Sequence, residues 1–105
     1  MADAVGSRED VIRAILANQS ALRSLGVSRL GLFGSFVRDE ARADSDVDVL
    51  VEFAPGQKTF DHFMQLSFLL EEVLGRRVEL ITPESLSPHI GPHILKEVEY
   101  VSVAA

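Results

Sequence analysis

The sequence predicts an α/β (α+β) fold, a small mixed sheet of three or four strands flanked by helices. Three observations support this fold class: short runs rich in β-branched residues, a long amphipathic segment between two of them, and helical patterns near both ends. Strands that alternate with helices are typical of such layered domains. With 105 residues, 47% of them hydrophobic, the chain fits one domain. We expect that domain to span 1–105, with a core of about 8–101.

Local signals define the first half of the predicted fold. The stretch Ser7 to Asp10 resembles a capping box and starts a first helix, and a short second helix ends at Gly26. Valine-rich and other apolar runs predict strands over 27–33, 47–53 and 78–81.

Helices connect and follow these strands. Apolar residues at helical spacing predict a long helix from Phe60 to Leu74, ended by Gly75. They lie on more than one stripe, which leaves part of this helix available to a partner. Thr82-Pro83 predicts a further helical turn, and residues 90–98 predict a last helix.

Composition excludes several classes of protein. The net charge of −6 and pI of about 4.9 disfavour stable nucleic-acid binding, because an acidic surface repels phosphate. The chain has no cysteine, so it has neither a disulfide framework nor a thiolate metal site. Its start lacks a secretory leader pattern and no apolar run reaches membrane-spanning length. We therefore expect a cytoplasmic protein with no membrane association.

Two aspartates stand at the head of the second predicted strand. Residues i and i+2 of a strand project to the same face, so Asp46 and Asp48 are expected to project together. Like charges this close oppose each other's ionisation unless a cation neutralises them, and Mg²⁺ prefers carboxylate oxygens and phosphates. The alternative is that Asp46 belongs to a turn and Asp48 lies at a solvated strand edge.

A Gly-Ser pair lies between the first strand and the next helical turn. Gly34 allows the backbone to approach a phosphate closely, and the Ser35 hydroxyl can add a hydrogen bond. Such a pair alone is usually a turn, but with the aspartates it supplies both halves of a site for a metal-bound triphosphate. Arg38 either reaches a phosphate or orients the aspartates, or it pairs with Asp44 or Glu40.

A third acid lies in the last predicted strand. If this strand neighbours that of Asp48, Glu79 shares its face and can bind a metal or accept a proton from an attacking hydroxyl. An edge-strand glutamate that pairs with Arg76 or Arg77 is an equally good interpretation.

The motif Gly34-Ser35, ten intervening residues and then Asp46-Val47-Asp48 resembles the signature of the DNA polymerase β-like nucleotidyltransferase superfamily. The later Arg-Arg-Val-Glu-Leu segment, 76–80, is similar to the minimal branch of that superfamily, the MNT domain proteins. The resemblance covers roughly Val11 to Val101.

The resemblance implies roles for the motif residues. Gly34, Ser35 and Arg38 would bind the nucleotide. The catalytic and metal-binding carboxylates would be Asp46, Asp48 and Glu79, with Mg²⁺ as cofactor and ATP as substrate. A hydroxyl would attack the α-phosphate of ATP and release pyrophosphate.

The resemblance also implies a partner. Many MNT proteins are antitoxins encoded beside a HEPN-domain ribonuclease toxin, and known examples add AMP to a tyrosine of that toxin. The chain is thus expected to be a Mg-dependent nucleotidyltransferase antitoxin with a HEPN partner. Either a homo-oligomer or a hetero-oligomer with the toxin is compatible with this expectation.

Two residues depart from the family pattern. Asp39 stands where glycine is common, and Glu79 stands where aspartate is common. They motivate an alternative in which the protein is catalytically weak or inactive and neutralises its partner by binding alone. Nucleotidyl transfer to a small molecule or an RNA end is a third hypothesis.

Overall fold

The computed structural model describes residues 4–103. Residues 1–3 and 104–105 lie outside this range. The predicted ends of the domain, and part of the segment on which the secretory-leader prediction rests, are therefore not described by the structure. The helices are α1 (Arg8–Ala17), α2 (Gln19–Ser24), α3 (Phe60–Leu74) and α4 (Gly91–Glu97). The strands are β1 (Val27–Phe33), β2 (Val47–Phe53), β3 (Val78–Ile81) and β4 (Glu99–Ser102). Single 3₁₀ turns follow β1 at Gly34–Phe36 and β3 at Pro83–Ser85.

The four strands form one mixed sheet in the order β3-β2-β1-β4. β1 is antiparallel to both β2 and β4, whereas β2 and β3 are parallel. The predicted fold class is therefore confirmed. The fourth strand had no individual prediction: Val98 was expected in the last helix, but its ψ of 135° is extended, and β4 then pairs with β1.

One face of the sheet carries the core. Alternate residues of β2, Val47, Val49 and Val51, are fully buried. They pack in one cluster with apolar residues of α1 and α3, including Ile15 and Leu66. Because side chains alternate along a strand, Asp48 projects from the opposite face.

Capping residues set the helix ends as the sequence predicts. The Ser7 hydroxyl accepts a hydrogen bond from the Asp10 amide at 3.1 Å, which starts α1. Gly75 ends α3 in the left-handed conformation with φ 66°. Within residues 4–103, no helix is both long and apolar enough to cross a membrane.

The strand directions bring three chain segments to one edge of the sheet. Because β1 opposes β2 and β2 runs with β3, the end of β1 lies beside the starts of β2 and β3. Gly34 follows that end, Asp46 precedes β2, and Glu79 is the second residue of β3. The candidate residues from all three motifs therefore meet at this edge.

Candidate nucleotidyl-transfer site

Asp48 and Glu79 are direct neighbours across the two parallel strands. They are register partners in the β2–β3 ladder, so their side chains project from the same face of the sheet. The two carboxyl groups are therefore neighbours on that face. The condition set out for Glu79 is thus met, because β3 neighbours β2 and Glu79 lies beside Asp48.

Burial and neighbouring charge change the ionisation of this pair. The pKa of Asp48 is raised from 3.8 to about 6, first by burial and then by the hydrogen bond and charge of Glu79. The negative charge of Asp46 raises this pKa further, whereas the Arg38 guanidinium lowers it. At neutral pH this part of the site therefore carries negative charge that is not fully compensated, and a proton or a metal cation would compensate it.

Gly34 forms the other wall of the site. Its φ of 79° is left-handed, and a Cβ at this position would overlap the Asp48 Oδ2 atom. Glycine is therefore required twice, by the backbone conformation and by the carboxylate packed against it. The 3₁₀ turn that follows is anchored by Phe36, whose side chain is fully buried.

Asp46 is less enclosed than Asp48. It lies immediately before the first residue of β2 and is exposed. Its effect on the pKa of Asp48 nevertheless places its charge near the pair. Among residues 4–103, no three histidine or acidic side chains converge as a ready-made metal cage.

Arg76 holds the loop that leads to Asp46. Its guanidinium donates to the backbone carbonyls of Val5 at 2.6 Å, Arg42 at 2.8 Å, Ala43 at 3.2 Å and Ser45 at 2.9 Å. The same group lies 5.0 Å from the centre of the Phe36 ring. The Arg76 guanidinium is therefore bound to backbone carbonyls around this loop. This argues against the interpretation in which Arg76 forms an ion pair with Glu79.

Arg38 contacts an acid that the sequence did not single out. Its guanidinium pairs with Glu40 at 2.8 Å, as one interpretation of the sequence predicted, and with both carboxylate oxygens of Glu97 at 3.1 Å. Glu97 Oε1 also accepts from the Gly34 amide at 2.8 Å. Glu97 is the last residue of α4 and lies 63 positions from Gly34, so no local pattern connects the two.

Asp39 adopts a conformation that explains why glycine is common there. Its φ is 60°, in the left-handed region, and it is the one non-glycine residue with positive φ among residues 4–103. Aspartate tolerates this region better than most residues. Asp39 is exposed, so its charge can be solvated.

Comparison with known proteins shows the family to which the chain belongs. The model of the nucleotidyltransferase domain family matches residues 14–101. The chain is 42% identical over 94 residues to protein adenylyltransferase MntA of Thermococcus cleftensis, which covers 89% of this chain and 94% of that protein. The chain therefore belongs to the nucleotidyltransferase domain family, and it is a nucleotidyltransferase enzyme of the minimal type.

Solved structures support the same assignment. A minimal nucleotidyltransferase with 35% sequence identity superposes with a TM-score of 0.67 over 84% of this chain and 93% of its own. A chain from the complex of a tri-AMPylated HEPN toxin with MNT antitoxin, from Shewanella oneidensis, gives a TM-score of 0.52 at 18% identity. That match covers 85% of this chain and 71% of the other, and it shows a shared fold.

Proposed function

We propose that this enzyme is an antitoxin that transfers AMP from ATP to a hydroxyl, of tyrosine, on a HEPN-type toxin. The observation that carries the proposal is the pairing of Asp48 with Glu79 beneath the Gly34 turn. This arrangement places acidic groups and backbone donors at one edge of the sheet, where a triphosphate and an acceptor hydroxyl can meet.

The acidic residues fit a divalent cation. The pKa of Asp48 is raised first by burial and then by the neighbouring Glu79, so a cation beside the two carboxylates would be favourable, and oxygen ligands of this kind suit Mg²⁺. Asp46, Asp48 and Glu79 would hold the ion, with Asp46 turning toward the pair. When bound, Mg²⁺ neutralises charge on the carboxylates and on the triphosphate.

The Gly34 turn would hold the phosphates. The Gly34 amide and the Arg38 guanidinium both face an anion in this structure, namely the Glu97 carboxylate. Ser35 follows directly and its hydroxyl can add a hydrogen bond. A phosphate oxygen matches the same donors in charge and hydrogen-bonding capacity.

The reaction would be a displacement at the α-phosphorus of ATP. The acceptor oxygen forms a bond to that phosphorus, the bond to the bridging oxygen of the β-phosphate breaks, and pyrophosphate leaves. Glu79 is exposed, and its carboxylate would take the acceptor's proton. Orientation by the turn and the two strands would supply much of the rate enhancement.

Exposed apolar residues on α3 support a protein partner. Phe60 and Phe68 are 78% and 64% exposed, so two large aromatic side chains of α3 are left largely in contact with solvent. Eight residues span a little over two turns, so the two side chains project within about a quarter turn of each other around α3. The relatives that pair with toxins make a HEPN-type toxin the partner we propose, and the acidic chain disfavours nucleic acid as acceptor.

The test is transfer of label from ATP carrying radioactive phosphorus at the α-position. A HEPN-type toxin is co-purified with the chain and incubated with the labelled ATP and Mg²⁺. We expect labelled toxin with the wild type and with Glu52→Gln, which removes a carboxylate farther along β2 where it pairs with Arg29. Asp48→Asn is expected to abolish labelling.

Co-expression separates transfer from simple binding. If the double variant Asp46→Asn/Asp48→Asn still protects cells from the toxin, and neither the wild type nor this variant transfers label, the binding-only alternative is correct. If label appears on RNA or a small molecule instead of the toxin, the proposed acceptor is wrong.

A further inference from the structure

Glu97 occupies two of the donors of the proposed phosphate site, the Gly34 amide and the Arg38 guanidinium. Its Oε1 accepts from the Gly34 amide at 2.8 Å, and Arg38 Nη1 lies 3.1 Å from each of its oxygens. The Glu97 side chain is only 27% exposed. A carboxylate thus occupies the position that a phosphate oxygen would take.

The two anions exclude each other on chemical grounds. A backbone amide has one N–H and donates one good hydrogen bond, so Gly34 cannot serve Glu97 and a phosphate at full strength together. A nucleotide that uses this amide must displace the carboxylate, and the two negative charges would otherwise repel.

The backbone around Glu97 is fixed, so displacement requires only a side-chain movement. The Val98 amide donates to the Ile94 carbonyl at 2.9 Å, which closes the last turn of α4. The next residue, Glu99, is already paired with Leu32 in the sheet. Rotation of the Glu97 side chain leaves this framework intact.

We propose that Glu97 is an internal anionic ligand of the phosphate site, which nucleoside triphosphate displaces when it binds. Glu97 keeps the Gly34 turn and Arg38 ordered in the free enzyme and lowers nucleotide affinity. This inference rests on the proposed function, because it assumes that the triphosphate uses these donors.

Calorimetric titration with the non-hydrolysable analogue AMP-PNP, in excess Mg²⁺, tests the inference without catalysis. Glu97→Gln keeps the shape of the side chain and removes its charge, and Glu97→Ala clears the site. We expect both variants to bind about tenfold more tightly than the wild type, the factor that corresponds to about 1.4 kcal/mol.

Glu99→Gln is the matched control. It removes an identical charge two residues away, where the carboxylate pairs with Arg8 instead of the site. Its affinity for AMP-PNP should stay within about twofold of the wild type. An equal gain in the control would attribute the effect to net charge and overturn the inference.

The remaining outcomes are also decisive. Unchanged or weaker binding by both Glu97 variants, with a wild type that binds AMP-PNP, overturns the inference and leaves the proposed function intact. If neither the wild type nor any variant binds AMP-PNP, the proposed function fails and the inference fails with it.

Discussion

Asp48 and Glu79 face each other as register partners on parallel strands, and their side chains project from the same face of the sheet. Two acids in this position destabilise each other when both are ionised. This destabilising pair lies at the edge of the sheet where Gly34 follows the end of β1. This combination is typical of a site that is completed by a cation and an anionic substrate.

The first prediction concerns stability as a function of pH in metal-free protein. The pKa of Asp48 is about 6 in the folded chain and 3.8 as the reference for the unfolded chain, so the native state binds the extra proton. Its stabilising effect is complete below about pH 4 and is lost as pH rises through about 6. Partial exposure limits the loss to on the order of 1–2 kcal/mol.

Asp48→Asn should remove this dependence. In urea denaturation with chelator, we expect the variant to gain stability over the wild type between about pH 4 and about pH 7. Asp44→Asn, in the exposed loop before β2, is the control and should keep the wild-type profile. Parallel profiles for the wild type and Asp48→Asn would contradict the raised pKa.

The second prediction separates two reasons for glycine at position 34. Gly34→Ala combines left-handed strain with overlap of Asp48, whereas Gly56→Ala has a nearly identical φ of 78° and no atom within 4 Å of the added Cβ. We expect Gly56→Ala to cost about 1–2 kcal/mol of unfolding free energy and Gly34→Ala clearly more. Urea denaturation measures both, and equal losses would show that Asp48 does not pack on this turn.

The third prediction concerns the brace on the loop before Asp46. Arg76→Met keeps much of the apolar length but leaves the carbonyls of Ala43 and Ser45 without their donor. We expect a loss of about 2–3 kcal/mol, together with faster amide hydrogen exchange in 42–47. Arg77→Met changes a more exposed neighbour and should have little effect. Similar losses in the two variants would rule out a specific role for Arg76.

The fourth prediction concerns the departure at position 39. Asp39→Gly relieves a left-handed residue; because aspartate tolerates this region, the gain lies at the lower end of about 1–2 kcal/mol, against about 0.4–1 kcal/mol of added chain entropy in the unfolded state. A net gain of no more than about 0.6 kcal/mol follows. Asp39→Asn removes the charge and retains a side chain, so thermal unfolding should place it near the wild type. If Asp39→Asn gained as much stability as Asp39→Gly, the charge of Asp39, and not its backbone conformation, would be the cause of the destabilisation.

Much of the framework could be predicted from the sequence because its determinants are local. The bounds of β1, β2, β3 and α3 agree with the predictions, since runs of β-branched residues and capping residues such as Gly75 define them within a few positions. The Gly34 turn was predicted for the same reason.

The rest depends on long-range contacts. β4 is only four residues long and pairs with the edge of β1 that β2 leaves open. That open edge becomes apparent only when the strand order is known. Glu97 reaches the site because the end of α4 lies beside Gly34, which is distant in sequence. Arg76 donates to backbone carbonyls, and the pattern of side chains in the sequence does not predict such contacts. The proximity of Glu79 to Asp48 was conditional on strand order, which the sequence left open.

A double-mutant cycle on Asp48 and Glu79 tests the central claim most directly. Single-turnover transfer of AMP from ATP to the toxin would be measured for the wild type, Asp48→Asn, Glu79→Gln and the double variant. Because the two carboxylates would act as one unit, we expect each single change to cost about 100-fold or more and the double change to cost little beyond the worse single. Losses that multiply, or a Glu79→Gln enzyme with wild-type rate, would contradict the account.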